Sequence, residues 1–254
     1  PDDAARAALA LAGDARVRII DASSAHRTAP GWTYGFAELA SGQRDAIAGA
    51  ARVSNPGCYP TGFLALIAPL VSAGLIPADG GYVCHAVSGY SGGGKALIGR
   101  FEQEEPDIAW RGYALTMGHK HVPEMKAHAG LASDPLFAPA VVPAFRGMVV
   151  EVPLLRAADP RIAPAQELRA ALATHYADNA IVSVGGLGVA GELLLRRDSA
   201  PSDRLRLDLF ASADDSQIRL VAMLDNLGKG AGGACVQNLN IMTGMPETLG
   251  LRLD

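Results

Sequence analysis

The sequence predicts an α/β protein in two parts: an α/β unit at the N-terminal end, then an α+β part on a mixed, largely antiparallel sheet. Three observations carry this. The chain opens on a helical pattern that leads into a strand from Val17 to Ile20, ending on Asp21; helix then strand is the second half of an α/β unit. The stretch "RLRLDLFA" alternates apolar and polar residues as a half-buried strand does, with "SQIRLVAML" as its antiparallel partner. The remaining strands crowd into the second half of the chain, which favours antiparallel pairing over a second parallel sheet.

The elements follow in order. Ala5, Ala8, Leu9 and Leu11 give the opening helix its apolar spacing. Starting with half of an α/β unit and no initiator methionine leads us to expect that upstream residues have been removed. Residues 22–50 read as loop and short helix, packed by Trp32, Tyr34 and Phe36, and "ARVSNPG" as a short strand into a turn. Phe63, Leu66, Ile67 and Leu70 predict a helix over 61–74, stopped by Gly74 and Pro77. "GYVCHAVSG" is a strand followed by a glycine-rich loop. "YALTMGHKHVPEM" reads as strand, then loop, then a helix over 124–131. "AVVPAFRGMVVEVPLL" reads as one long strand interrupted at Pro143 and Gly147. A helix over 164–175 precedes the alternating pair, and "GAGGACVQNLNIMTGM" is a final helix that begins in glycines.

Composition narrows the function. The 254 residues carry 22 basic and 26 acidic side chains, a net charge of -4, with no basic run. Nucleic acid is therefore a poor partner. No apolar stretch has the roughly 18 residues of a membrane span. Cys58, Cys84 and Cys235 are odd in number and far apart, so neither a disulfide framework nor a structural zinc site is indicated, and a reducing cytoplasm fits best.

"SNPGCYPTG" sets Cys58 between two prolines and two glycines just ahead of a helix. A helix N-terminus offers unpaired N–H groups and the positive end of a dipole, which favour the thiolate. That predicts a reactive thiol with an apparent pKa below about 8. The alternative is a small buried hydrophobe, which is how Cys84 and Cys235 read. "GHKHVPEM" offers His119, His121 and Glu124 as acid/base partners. On an extended segment the two histidines would point to the same side, as a catalytic base with a helper, as two metal ligands lacking an obvious third, or as plain structure. "GYSGGGKA" satisfies G-x-x-x-x-G-K but carries Ala96 where magnesium needs a hydroxyl, so phosphotransfer on a P-loop is a weak alternative and close approach to a flat or anionic ligand a better one.

Taken together, "SNPGCYPTG", "VSGYSGGGK", "GHKHVPEM", "VVPAFRGM" and "DNLGKGAGGACVQNLNIMTG" resemble the successive signatures of the N-acetyl-gamma-glutamyl-phosphate reductases, in order along nearly the whole chain. "RIIDASSAHRTAPGWTYGFAEL" resembles the shorter of that family's two sequence types. The departure is the missing glycine-rich dinucleotide fingerprint of the first βα turn. The resemblance implies a glyceraldehyde-3-phosphate dehydrogenase-like fold. Residues 1–57 and 226–254 would be the remainder of a Rossmann NADP-binding domain, with 58–225 as the catalytic domain. It implies cytoplasmic NADPH-dependent reduction of an acyl phosphate in arginine biosynthesis, releasing phosphate, by a homo-oligomer (dimer or tetramer). Related reductases act on aspartyl or aminoadipyl phosphates, and a non-catalytic fragment is a further alternative. Cys58 would be the nucleophile, His121 the general acid/base, and Glu124 its orienting partner. Tyr113, His119, Arg146 and Asn55 would bind substrate; Ser23, Ser24, Ser88, Gly89, Ser91, Gly92 and Asn226 would face NADP(H); no metal is implied.

Overall fold

A computed structural model of the chain describes residues 2–12, 17–188 and 191–254. After an exposed helix α1 (Asp2–Ala12), three short strands, β1 (Ile19–Asp21), β2 (Thr33–Tyr34) and β3 (Arg52–Ser54), form a parallel sheet in the order β1-β3-β2. Helix α2 (Gln43–Gly49) lies between β2 and β3. The chain's last helix returns to this sheet: Met242 packs with Ala37, Ile47 and Val53 in a small core of its own.

The main sheet has seven strands. In chain order these are β4 (Val83–Gly89), β5 (Arg111–Gly112), β6 (Leu136–Val142), β7 (Met148–Leu155), β8 (Val182–Leu187), β9 (Leu205–Ala211) and β10 (Gln217–Leu224). Their spatial order is β5-β6-β4-β7-β10-β9-β8. The two alternating stretches pair antiparallel as predicted, with Leu220 opposite Leu209. Only β4–β6 and β8–β9 are parallel, so the sheet is mixed and largely antiparallel.

Helix α3 (Cys58–Ser72) is apolar on every side, which suits a helix buried all round. It lies across β7 and β10 so closely that a Cβ on Gly62 would sit 2.8 Å from Val150 Cγ2. Phe63, Leu64, Leu66, Ile67 and Leu70 fill the core with Val152, Leu154, Leu209 and Leu220. Pro69 lies inside this helix and has no N–H for the carbonyl of Ala65; the Tyr176 hydroxyl donates to that oxygen instead, at 2.8 Å. Helix α4 (Gly94–Gly99) follows the glycine-rich loop after β4, and helix α6 (Ala165–His175) covers β8 and β9 on the same face as α3. On the opposite face His85, Glu151, Leu155, Phe210 and Arg219 surround a shallow cavity of about 460 Å³.

Four expectations change. The long strand expected over 140–155 is two strands on either side of β4, because residues 143–147 bridge over its end: Gly89, Tyr90 and Ser91 N–H donate to the carbonyls of Gly147, Ala144 and Phe145. "YALTM" is not strand, since Ala114 and Met117 take positive φ (55° and 66°), which no strand tolerates. The helix predicted from 61 begins at Cys58, as the prolines and glycines of its first turn add no apolar spacing but do not break it. Helix α5 (Val122–Ala129) starts before Glu124, with Pro123 in its first turn, where a missing N–H costs nothing.

Candidate active site

A cleft of about 870 Å³ lies between the two sheets. Ala22 and Asn55–Gly57, beyond the C-terminal ends of β1 and β3, form one wall; Ser88 and Gly89 at the end of β4 form another. Ligands of parallel α/β sheets bind beyond the carboxyl ends of their strands.

Cys58 is the first residue of α3, half-buried in the cleft wall. Its place at a helix N-terminus matches the sequence reading, but its acidity does not. Burial pushes the thiol up to about 11, against the Tyr59 N–H and the Arg27 charge, which pull it down. Desolvation of an anion outweighs one helix end here. The last glycine-rich segment closes on the cysteine from behind: a Cβ on Gly230 would meet Cys58 Cβ at 2.9 Å.

His121 precedes α5 and is buried. It and His119 lie on a turn rather than an extended segment, yet their rings meet edge to face, centroids 4.6 Å apart. The His121 N–H donates to His119 Nδ1 at 3.2 Å. A neutral His119 must then carry its proton on Nε2, leaving a donor. His121 Nδ1 is buried without a partner among the described residues. Burial, followed by the Arg27 charge, holds its pKa well below the usual value; the imidazolium would need a partner on each nitrogen. His121 is therefore a neutral base in the free protein.

Glu124 does not touch His121 by any hydrogen bond. The Gly57 N–H (2.8 Å) and the Tyr34 hydroxyl (2.6 Å) donate to its Oε1, and Arg27 Nη1 (3.0 Å) donates to its Oε2. Burial raises its pKa while Arg27 and the other donors lower it, and a purely donating shell fits the ionised carboxylate. Glu124 thus braces the loop before Cys58. Its partner Arg27 also donates to the carbonyls of Asn55 and Ala22, each at 3.1 Å. The sequence reading missed Arg27; the signal was an arginine in "SSAHRTAP", next to the two serines singled out there. Gly57 fits because nothing larger can: a Cβ there would lie 2.5 Å from Arg27 Nη1, 2.8 Å from His121 Nε2 and 3.0 Å from Glu124 Oε2.

Tyr113, His119, Ser88, Gly89, Ser91, Gly92 and Asn226 all line the cleft. Asn226 ties its rim together, donating to Ser91 Oγ at 3.0 Å and accepting from the Gly147 N–H at 2.9 Å. A Cβ on Gly92 would meet Asn226 Nδ2 at 3.3 Å. This glycine wall, flat and backed by an amide, fits the nicotinamide end of a dinucleotide. Arg146 is elsewhere: it donates to Asp225 at 3.0 Å and does not line the cleft. Asn55 reaches the wall but its amide is engaged, donating to the Ala231 carbonyl and accepting from Asn238, each at 3.1 Å. Ser23 and Ser24 also lie outside the lining; their hydroxyls donate to Asp21 and Asp2. Lys95, the lysine of the P-loop-like stretch, is exposed and does not line the cleft, and β4 there runs between one parallel and one antiparallel neighbour, unlike a P-loop strand. No three His, Cys, Asp or Glu side chains gather as a metal site among the described residues. No helix of the described residues is long and apolar enough to cross a membrane.

The family match places the chain among the semialdehyde dehydrogenases. Residues 58–226 match the family described as "Semialdehyde dehydrogenase, dimerisation domain". Aspartate semialdehyde dehydrogenase II from Vibrio cholerae superposes with a TM-score of 0.71 at 19% identity, over 92% of this chain and 75% of that one. A probable aspartate-semialdehyde dehydrogenase from Pseudomonas aeruginosa gives 0.68 at 18%, over 95% and 77%. The N-acetyl-gamma-glutamyl-phosphate reductase of Trichormus variabilis is 47% identical over 99% of this chain and 82% of its own. N-acetyl-gamma-glutamyl-phosphate reductase 2 of Pseudomonas putida is 48% identical over 98% and 81%. The chain belongs to the N-acetyl-gamma-glutamyl-phosphate reductase family.

Proposed function

We propose that the chain reduces N-acetyl-gamma-glutamyl phosphate to N-acetylglutamate semialdehyde with NADPH, through a thioacyl bond on Cys58. The observation that carries this is Cys58 at the first turn of α3, inside the cleft, one residue from the Gly57 against which the neutral His121 packs. A cysteine held as the thiol needs a base at the moment of attack. Cys58 Sγ bonds to the acyl carbon while its proton passes to His121; the C–O bond to phosphate breaks, and the leaving phosphate takes its electron pair and that proton. The cofactor, held by the Gly92 wall and Asn226 with Ser88, Gly89 and Ser91, supplies the hydride to this carbon when bound. His121, reprotonated from solvent, gives its proton to the resulting alkoxide. As the C–S bond breaks, the hydroxyl proton returns by way of His121 to the sulfur, and the semialdehyde leaves. His119 Nε2–H and the Tyr113 hydroxyl serve as donors to substrate oxygens. Residues 1–57 and 226–254 act as the cofactor-binding part and 58–225 as the catalytic part.

The matched dimerisation-domain family also supports pairing of two copies, for which we assign the helix-free face around Leu155 and Phe210. The reaction is tested in reverse: N-acetylglutamate semialdehyde, phosphate and NADP⁺ should yield NADPH at a rate about 10⁴-fold lower in Cys58→Ala, while Cys84→Ala stays active. Turnover of aspartate semialdehyde in preference, or an active Cys58→Ala, would contradict the proposal.

A further inference from the structure

The cations that reach the cleft are not equivalent. Arg27 is buried and bonded to Glu124, and Arg100 is paired with Glu105 through two bonds of 2.9 and 3.0 Å. Lys120 lines the cleft but is exposed, as a mobile ammonium would be. Arg111 is different. It sits on the short edge strand β5, half-buried, with its guanidinium 4.9 Å from the centroid of the Tyr113 ring. That guanidinium donates a hydrogen bond to no described residue and faces no carboxylate partner among them.

We propose that Arg111 receives the α-carboxylate of the substrate, and so sets the enzyme's preference for acyl phosphates that carry one. The proposal rests on the function proposed above. A guanidinium stacked on an aromatic face is fixed in plane and keeps its N–H edge free, the geometry that accepts a carboxylate through two parallel bonds. Half-buried at the cleft with no anion among the described residues beside it, this cation is left to pair with an anion that arrives. The substrate brings two. Its phosphoryl group leaves from the carbon that Cys58 attacks, and Arg27 is the cation whose charge acts most on Cys58. The charge of Arg111 acts on Tyr113 instead. The carboxylate, at the other end of the substrate, is the anion that falls to Arg111, since Arg146 does not line the cleft and donates to Asp225.

The test compares two aldehydes in the phosphate-dependent reverse reaction: N-acetylglutamate semialdehyde and its decarboxylated analogue, 4-acetamidobutanal. Arg111→Ala should raise KM for the first by about 10²-fold, the scale of losing one partner of a buried charge pair, with kcat and the KM values for phosphate and NADP⁺ nearly unchanged. On the analogue, Arg111→Ala and wild type should agree within a small factor. Arg111→Lys, which keeps charge without the fork, should fall between and shows that a folded variant is being measured. An equal loss on both aldehydes, no loss on either, or a raised KM for phosphate would overturn the assignment. A wild-type enzyme inert toward N-acetylglutamate semialdehyde would instead overturn the function it rests on, and the Arg111 assignment with it.

Discussion

At Cys58 a helix end and burial pull in opposite directions, and the outcome decides whether a thiolate is formed in advance. A helix N-terminus is worth about 0.3 to 2 kcal/mol to an anion, whereas removing a thiolate from water costs more than that, and the thiol is pushed up to about 11. The free enzyme therefore holds a thiol, and in the proposed reaction the thiolate appears only as the proton moves to His121. Alkylation by iodoacetamide follows the thiolate fraction. Labelling of Cys58 in the ligand-free enzyme should keep accelerating from pH 7 through 10, still ahead of the fully buried Cys84. A plateau reached by pH 8 would show a pre-formed thiolate and return the helix dipole to the leading role. The sequence could place Cys58 at a helix start because prolines and glycines act locally. It could not give the sign of the shift, which depends on how tightly Gly230 and the rest of the cleft close around the sulfur.

At the scale of elements, the site is a junction of strand ends (β1, β3, β4) and helix starts (α3, α5), and Glu124 in the first turn of α5 locks the β3–α3 turn through Arg27, Tyr34 and the Gly57 N–H. Gly57→Ala would drive a methyl into three polar atoms at 2.5 to 3.0 Å. Its kcat should fall by about 10²-fold, the scale of a displacement near 1 Å at a reacting group. Gly49→Ala in α2, where an added Cβ meets nothing within 4 Å, should leave activity unchanged. Equal activity in both variants would mean that the turn has room and that the lock does not position Cys58. The same lock shows the limits of the sequence. The local motif "HVPEM" set an acid near a base, but the partners of Glu124 come from residues 27, 34 and 57, and no spacing rule joins positions that far apart. The surroundings of Arg146 were out of reach for the matching reason: its place between two strands does not announce that the fold sets Asp225 against it.

For the whole molecule, the fold class was legible because alternation in β9 and β10 is a local signal with one solution, whereas strand order was not. Residues 140–155 look like one strand, and only the bridge over the end of β4 shows them to be two. The sheet's helix-free face follows from the same pattern, with Leu155 exposed on it. Leu155→Arg should convert a dimer to monomer in sedimentation without lowering the melting temperature by more than a few degrees; an unchanged assembly would place the interface elsewhere. The central claim, that the two sheets meet in order to pass an acyl group through Cys58, is tested most directly without phosphate. Enzyme mixed with N-acetylglutamate semialdehyde and NADP⁺ should release NADPH in a burst of about one per site and then stall, with the acyl mass on the peptide containing Cys58. Phosphate added afterwards should release the acyl group and restore turnover. No burst, or a burst that leaves Cys58 unmodified, would contradict the account.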